Sequence, residues 1–213
     1  YQPHNIEKIC AWGGFASVKH VTRYIQPGIE LISLDPKRSA SIVGGEALDS
    51  DTMMEEAANR IACDFSVGNQ VACAASRMVY VMCGTDDDGI EKLKELGQRT
   101  YDAMLRLPEV LTTKPKRYDP DLKRQVDALR LSDDWYTVIG GKDDEGAVIV
   151  SHTSDRVEFW EYLADRTVNL IPVDTLDEVL DVVDAYTQTV GIFPESLREV
   201  VRHKGALHGG QRF

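Results

Sequence analysis

The chain has 213 residues, 24 basic against 35 acidic side chains, a formal net charge of −11, and a hydrophobic share of 43%. This length and apolar content suit one large or two small domains with a buried core. The acidic balance argues against nucleic-acid binding, which needs clustered lysine and arginine, and no apolar run approaches the roughly 20 residues that span a bilayer. With no signal peptide visible, we expect a cytoplasmic protein without a membrane span.

The hydrophobic pattern predicts strands and helices in alternation along the whole chain. Strands are predicted over residues 6–12, 29–34, 39–43, 78–82, 135–139, 147–150, 168–173 and 189–193. Helices are predicted over residues 15–25, 52–65, 88–107, 121–131, 176–186 and 195–203. Ser50 or Asp51 is expected to cap the second helix, and Gly68 to end it. This alternation predicts an α/β fold with a mostly parallel sheet.

Four cysteines are present, at positions 10, 63, 73 and 83. Their wide spacing excludes a C-x-x-C metal or redox pair, and neither a disulfide nor a metal site is expected. Free cysteines most often pack as small apolar residues. We predict this structural role for Cys10 in a strand, Cys63 in an alanine-rich helix and Cys83 at a strand end.

Cys73 differs because it lies where a predicted helix gives way to a strand, in GNQVACAASRMVYV. Backbone N–H groups at such junctions stabilise both a thiolate and a tetrahedral oxyanion. Arg77 adds positive charge if it folds back, and the small neighbours Ala72 and Ala74 leave room for a substrate carbonyl. The alternative is a buried thiol that fills a gap between helix and strand. The spacing alone leaves both interpretations open.

Other candidate residues carry weaker patterns. Trp12-Gly13-Gly14 turns a strand into a helix, as phosphate and nicotinamide sites do, but two glycines also occur in such turns for steric reasons alone. Glu30 and Asp35 flank the second strand, where a general base or a solvated carboxylate would both fit. The acidic runs at 86–88 and 143–145 are interpreted as solvated turns, the second within a hairpin turn, GGKDDEG.

The order of these pieces resembles the aldehyde dehydrogenase superfamily, and within it the long-chain acyl-CoA reductases of the bacterial fatty-acid reductase (luminescence) type. The motifs that are similar are Trp12-Gly13-Gly14, Asp35-Pro36-Lys37-Arg38-Ser39, Asn69-Gln70-Val71-Ala72-Cys73, Gln188-Thr189-Val190-Gly191 and Gly209-Gly210-Gln211-Arg212. The resemblance covers most of the chain, with residues 93–165 matched loosely.

The resemblance implies an aldehyde dehydrogenase-like catalytic domain with three layers, over residues 34–213. Residues 1–33 would be the last strand, turn and helix of a cofactor-binding domain, and the chain would be a fragment of a longer one. Cys73 would be the nucleophile, with Asn69, Gln70 and Ala74 supporting the loop and the oxyanion. Trp12, Gly13 and Gly14 would contact NADPH, and no metal is implied.

The activity that the resemblance implies is NADPH-dependent reduction of a long-chain fatty acyl-CoA to the fatty aldehyde through a cysteine acyl-enzyme. Ser33 stands where typical aldehyde dehydrogenases carry a glutamate base, which suits an enzyme that need not activate water. An aldehyde dehydrogenase running oxidation, either CoA-acylating or hydrolytic, is an alternative. A non-catalytic module that docks an acyl-transfer partner is another. An acyltransferase or acyl-protein synthetase partner and a full-length homo-oligomer are also expected.

Overall fold

The computed structural model describes residues 6–13, 15–34, 37–184 and 186–208. The chain divides into two compact units, Tyr1–Lys37 and Arg38–Phe213. The boundary between them lies four residues beyond the predicted one. That the first unit belongs to a cofactor-binding domain stays a prediction.

The first unit is a parallel strand pair with a helix between the strands. Strands β1 (Lys8–Trp12) and β2 (Glu30–Leu34) run side by side, and α1 (Phe15–Thr22) connects them. Lys8 and Glu30 are directly opposite and form an exposed ion pair of 2.7 Å. Glu30 is therefore a solvated carboxylate, and Asp35 lies outside the described residues.

The second unit is built on a six-stranded sheet in the order β5-β6-β7-β4-β3-β8. Its strands are β3 (Arg38–Val43), β4 (Ser76–Val81), β5 (Tyr136–Gly140), β6 (Ala147–Ser151), β7 (Thr167–Pro172) and β8 (Thr187–Phe193). Every neighbouring pair is parallel except the β5–β6 hairpin. Strands β6 and β7 are buried along their whole length, as expected for a sheet that is covered on both faces.

Helices cover both faces of this sheet. They are α2 (Asp51–Ser66), α3 (Asp87–Arg106), α4 (Pro120–Leu129), α5 (Leu176–Leu180) and α6 (Arg198–Leu207). Alternate residues of each strand serve opposite faces. Val79 packs with α2 and α3, whereas Tyr80 packs with α5 and α6. The predicted three-layer α/β fold is confirmed, and no helix in the described ranges has the length and apolarity to cross a bilayer.

Several helix ends differ from the prediction, and α1 ends at Thr22 instead of residue 25. Helix α5 stops at Leu180 instead of residue 186, because Asp184 accepts a hydrogen bond from Tyr186 N (2.8 Å) in a tight turn before β8. Helix α6 begins at Arg198, after a short 3₁₀ turn over Glu195–Leu197. The predicted cap of α2 is confirmed, since Ser50 Oγ accepts from Met53 N at 3.3 Å.

The predicted hairpin is present, but its turn is not simply solvated. Glu145 Oε1 accepts from Gly141 N (2.8 Å) and from the Tyr101 hydroxyl (2.6 Å), and its Oε2 accepts from Asp143 N (2.8 Å). Burial raises the pKa of Glu145, but these hydrogen bonds outweigh it and hold the pKa below its usual value. Glu145 is therefore a half-buried anchor of the turn.

The parallel pairing is irregular at the start of β3. Ser39 lies opposite Ser76 of β4, but the next residue, Ala40, lies opposite Met78. The pairing with β8 slips by one residue at the same point. Each neighbour therefore has one more residue than β3 here, which is a bulge. The irregularity lies at the end of the sheet where the Cys73 loop enters β4.

Candidate active site around Cys73

The segment that leads to Cys73 leaves α2 through three consecutive left-handed residues. Gly68, Asn69 and Gln70 have φ values of 63°, 55° and 61°. Gly68 follows the end of α2 closely, as predicted. For residues with a Cβ this conformation is unfavourable and persists only where surrounding contacts impose it.

Asn69 ties this segment to the loop after α3. Its Oδ1 accepts from Thr112 Oγ1 and from Thr113 N, each at 2.8 Å, and its Nδ2 donates to Thr113 Oγ1 at 3.2 Å. The adjacent Gly68 N donates to Leu111 O at 2.8 Å. These bonds compensate for the left-handed backbone of Asn69.

Gln70 ties the same segment to the sheet. Its side chain is 2% exposed and bridges two strands. Nε2 donates to Ser76 O (3.1 Å) and to Thr167 O (2.8 Å), and Oε1 accepts from Thr167 N (2.9 Å). The structure thus places Asn69 and Gln70 as anchors on both sides of the loop, and a direct contact of either with an oxyanion stays a prediction.

Cys73 lies exposed in a tight turn. Ala75 N donates to Ala72 O at 3.1 Å, and Ser39 Oγ donates to Cys73 O at 2.7 Å. Within the described part of the chain, the N–H groups of Cys73 and Ala74 donate to no other residue. The residue is exposed and its carbonyl is fixed by Ser39, so the interpretation as a buried filler is wrong.

The other cysteines are chemically different from Cys73. Burial raises the pKa of the Cys83 thiol to about 11. Burial also raises the pKa of the Cys63 thiol, and the negative charge of Asp64 adds to this effect. Neither thiol forms a thiolate readily near neutral pH. Cys10 is exposed, so its predicted packing role is wrong. The two-stranded sheet buries the neighbouring Ala11 and leaves Cys10 on the open face.

A half-buried arginine contributes positive charge near Cys73. Arg77 Nε donates to Leu163 O at 2.8 Å, and its Nη1 is buried without a partner among the described residues. Burial and the charge of Arg38 lower the pKa of the Arg77 guanidinium, whereas Cys73 raises it. Arg77 and Cys73 are therefore near enough to interact electrostatically.

A groove of about 980 Å³ opens between α2 and the edge strand β8, on the α2 side of the sheet. In its lining, Asp64 Oδ2 accepts from the buried Ser41 Oγ at 2.8 Å, and Ser41 Oγ lies 2.7 Å from Ser76 Oγ. Sequence analysis missed these residues. The polar positions within the otherwise apolar β3 were the available signal.

The predicted cofactor residues belong to the first unit. Trp12 is 75% exposed at the end of β1, and Gly13 has φ 146° at the turn into α1. Gly14 lies outside the described residues. Ser33 is exposed on β2. In the ranges that the structure describes, no group of histidine, cysteine, aspartate and glutamate could hold a metal ion.

Comparisons with known proteins agree on one family and one fold. Residues 3–212 match the family described as "Acyl-CoA reductase (LuxC)". The chain is 25% identical over 210 residues to the "Long-chain acyl-protein thioester reductase" of Aliivibrio fischeri, covering 98% of this chain and 41% of that protein. It is 23% identical over 205 residues to the "Long-chain acyl-protein thioester reductase 2" of Photobacterium leiognathi, covering 96% and 40%.

Two solved structures show the fold. A 1-pyrroline-5-carboxylate dehydrogenase from Thermus with bound NAD superposes with a TM-score of 0.66 at 16% identity, over 100% of this chain and 43% of that one. An NAD-dependent aldehyde dehydrogenase from Burkholderia multivorans also gives a TM-score of 0.66, at 14% identity, over 99% and 40%. The fold is that of the aldehyde dehydrogenases, and the chain spans about two fifths of the length of these relatives.

Proposed function

The chain belongs to the acyl-CoA reductase (LuxC) family, and on that premise we propose that it carries the nucleophile of an enzyme that reduces a long-chain fatty acyl thioester to the aldehyde. One observation carries the proposal. Cys73 presents an exposed thiol in a fixed turn whose own N–H groups are free among the described residues. A thiol held in this way is arranged for attack on a carbonyl carbon.

The first step is an exchange of thioesters. The Cys73 thiolate forms a bond to the acyl carbon, the carbonyl π electrons move onto oxygen, and the tetrahedral adduct then expels the carrier thiolate. The expelled thiolate takes up the proton that Cys73 lost. The acyl group is left on Cys73 Sγ, and no oxidant or reductant is consumed.

The chain supplies two forms of charge stabilisation for this step. The N–H groups of Cys73 and Ala74 would donate to the oxyanion, where preorganised backbone donors act most strongly. Arg77 would stabilise the thiolate before attack, since it is held near Cys73 by its bond to Leu163 O. Asn69 and Gln70 would keep the turn from moving as the carbon changes geometry.

Reduction of the acyl group requires a nicotinamide cofactor, for which NADPH is proposed. The first unit fits such a group, because an exposed glycine turn leads from β1 directly into the N-terminus of α1. Trp12, Gly13 and Gly14 would hold it. When bound, the cofactor would supply the hydride, and departure of the aldehyde would release Cys73 as a thiolate, ready for the next thioester.

The thioester carrier follows from the family and the relatives. Fatty acyl-CoA is the proposed substrate, and the relatives' names indicate that an acyl-protein could present the same group.

We also propose an acyltransferase or acyl-protein synthetase as partner, a homo-oligomer for the full-length protein, and a cytoplasmic location. The CoA-acylating oxidation is the same chemistry reversed, while hydrolysis is disfavoured because Ser33 replaces the glutamate base.

Intact-mass analysis of the full-length protein after incubation with a long-chain acyl-CoA tests the proposal. We expect an acyl-sized mass gain that Cys73→Ala abolishes. Cys10→Ala is the matched control, because Cys10 is also exposed, and it should acylate normally. An adduct that survives in Cys73→Ala contradicts the proposed nucleophile. No adduct in the unaltered protein favours the docking module instead.

A further inference from the structure

A chain of hydrogen bonds joins the groove beside α2 to the Cys73 turn. It begins at Asp64 on α2, passes through Ser41 on β3, and reaches Ser76 at the start of β4. Ser39, two residues before Ser41 on the same face of β3, donates to Cys73 O. The polar contacts therefore hold both ends of the two-residue link, Ala74 and Ala75, that separates Cys73 from β4.

The three serines are almost completely buried. Ser39, Ser41 and Ser76 are 1%, 3% and 2% exposed, and the next inward position of β3 on this face is Val43. A buried hydroxyl is unfavourable unless it is hydrogen-bonded. Each of these hydroxyls is bonded, and together they specify one arrangement of the strand ends.

Strand β8 leaves room for the carboxylate. Gly191 pairs with Ser41 in the β3–β8 register. A Cβ at Gly191 would lie 2.5 Å from Asp64 Oδ2 and 2.7 Å from Ser41 Oγ, closer than side-chain atoms approach. Any other residue at this position would push Asp64 away from Ser41. The contact between Asp64 on α2 and Ser41 on β3 therefore depends on the glycine at position 191 of β8.

We propose that Asp64 is a positioning residue for Cys73, acting through Ser41 and Ser76 on the turn that holds the thiol. This inference rests on the proposed function, in which Cys73 is the nucleophile. Asp64 does not touch the substrate. Its Oδ2 orients the Ser41 hydroxyl, Ser41 orients that of Ser76, and Ser76 O also receives Gln70 Nε2, so the loop and the strand are set together.

The test compares single-turnover acylation in the full-length protein. We expect Asp64→Ala to lower the acylation rate at saturating thioester about tenfold, with the thioester Kd changed less than about twofold. Asp64→Asn retains an oxygen acceptor for Ser41 and should recover to within about threefold. Asp51→Asn is the matched control, since Asp51 lines the same groove, is exposed and makes no contact with the serines.

Double variants separate positioning from general damage. If the bonds form one path, Asp64→Ala combined with Ser41→Ala is no slower than Asp64→Ala alone, to within about twofold. The proposal is overturned if Asp64→Ala acylates at the normal rate or if Asp51→Asn is equally impaired. It is also overturned if the rate losses of Asp64→Ala and Ser41→Ala multiply in the double variant. Should Asp64→Ala fail to fold, Ser41→Ala is judged by the same rates.

A further measurement distinguishes failure of the Asp64 proposal from failure of the proposed function. If the unaltered protein forms no acyl adduct, the proposed function fails, and iodoacetamide labelling of Cys73 is measured instead. Positioning then predicts a labelling rate in Asp64→Ala that differs at least about threefold from that in Asp51→Asn. Equal labelling rates in the two variants would refute the role of Asp64.

Discussion

The Cys73 loop and the β5–β6 hairpin turn solve the same backbone problem in opposite ways. Both contain non-glycine residues in the left-handed region, Asn69 and Gln70 in the loop and Asp144 in the turn. Both are held by side-chain oxygens that accept backbone N–H groups. In the hairpin turn the accepting group is Glu145, whose backbone partners lie two and four residues away.

In the loop the contacts are distant along the chain. Asn69 binds Thr113, which is 44 residues away, and Gln70 binds Thr167, which is 97 residues away. A turn held by its own side chains uses up its N–H groups. A loop held from outside can leave its own N–H groups unused, and within the described ranges those of Cys73 and Ala74 donate to no other residue, as the role proposed for this loop requires.

The largest effect is expected from the more distant anchor. Gln70→Ala removes three buried hydrogen bonds, those to Ser76 O, Thr167 O and Thr167 N, and opens a cavity, so it should lower the free energy of unfolding by about 3 kcal/mol. Acylation of Cys73 should fall as well. Urea unfolding measures the free energy of unfolding, and intact-mass analysis measures the acylation of Cys73. Gln98→Ala, at an exposed glutamine on α3, should change stability by less than about 0.5 kcal/mol.

The hairpin anchor should affect stability without affecting acylation. Glu145→Ala removes three hydrogen bonds and should cost about 2 kcal/mol at pH 7. Because the folded pKa of Glu145 lies below its usual 4.5, this contribution is complete above that pH and is lost as pH falls through the folded pKa. Urea unfolding at several pH values checks it. Slower acylation would show that the two regions are coupled.

Two substitutions of Asn69 separate the effect of backbone strain on stability from that of side-chain contacts. Asn69→Ala loses the bonds to Thr112 and Thr113 and keeps a Cβ in the left-handed region, so it should cost about 2 kcal/mol. Asn69→Gly loses the same bonds but relieves the strain and should cost about 1 kcal/mol. Thermal unfolding of both variants gives the difference. Equal losses would mean that the left-handed backbone carries no strain here.

The smallest effect concerns Asp64. Burial raises its pKa above the usual 3.8, with opposing contributions from Ser41 and Arg60, so its ionised form opposes folding at neutral pH. The Asp64 residue as a whole keeps substantial solvent exposure, so solvent screens part of this effect, and Asp64→Asn should leave the melting temperature at pH 7 unchanged or raise it by up to about 2 °C. The gain should vanish as pH falls to the usual carboxyl pKa. A lower melting temperature at pH 7 would contradict this sign.

The elements that depend on local pattern were predictable. Helices α2 and α3, the hairpin and most strands follow from hydrophobic period, caps and glycines, because these signals lie within the element itself. Helix α5 was predicted too long because apolar residues continue its period beyond Leu180. The turn formed by Asp184 overrides that period, and a side chain that binds its own backbone is not visible in apolar spacing.

The candidate site was predictable only in part. Cys73 stood out because a glycine, two polar residues and small alanines interrupt regular structure there. The Asp64–Ser41–Ser76 path could not be predicted, since its members are 23 and 35 residues apart and meet only through strand register. Periodicity assigns a residue to a face but does not say which residue lies opposite it. Glu145 was interpreted as solvated because its turn is rich in charged residues, and its contact with Tyr101, 44 residues away, is not visible in the local sequence.

The bulge at the start of β3 constrains how chain length can vary during evolution. Arg77 is the extra residue of β4 between the positions paired with Ser39 and Ala40. Deleting one residue here would restore regular pairing, but it would turn Ser76 and the preceding turn to the opposite face of the sheet. An insertion or deletion between Cys73 and Met78 would therefore displace the thiol from its turn even if every neighbouring side chain were kept. Residue count thus constrains this region in addition to the side-chain contacts.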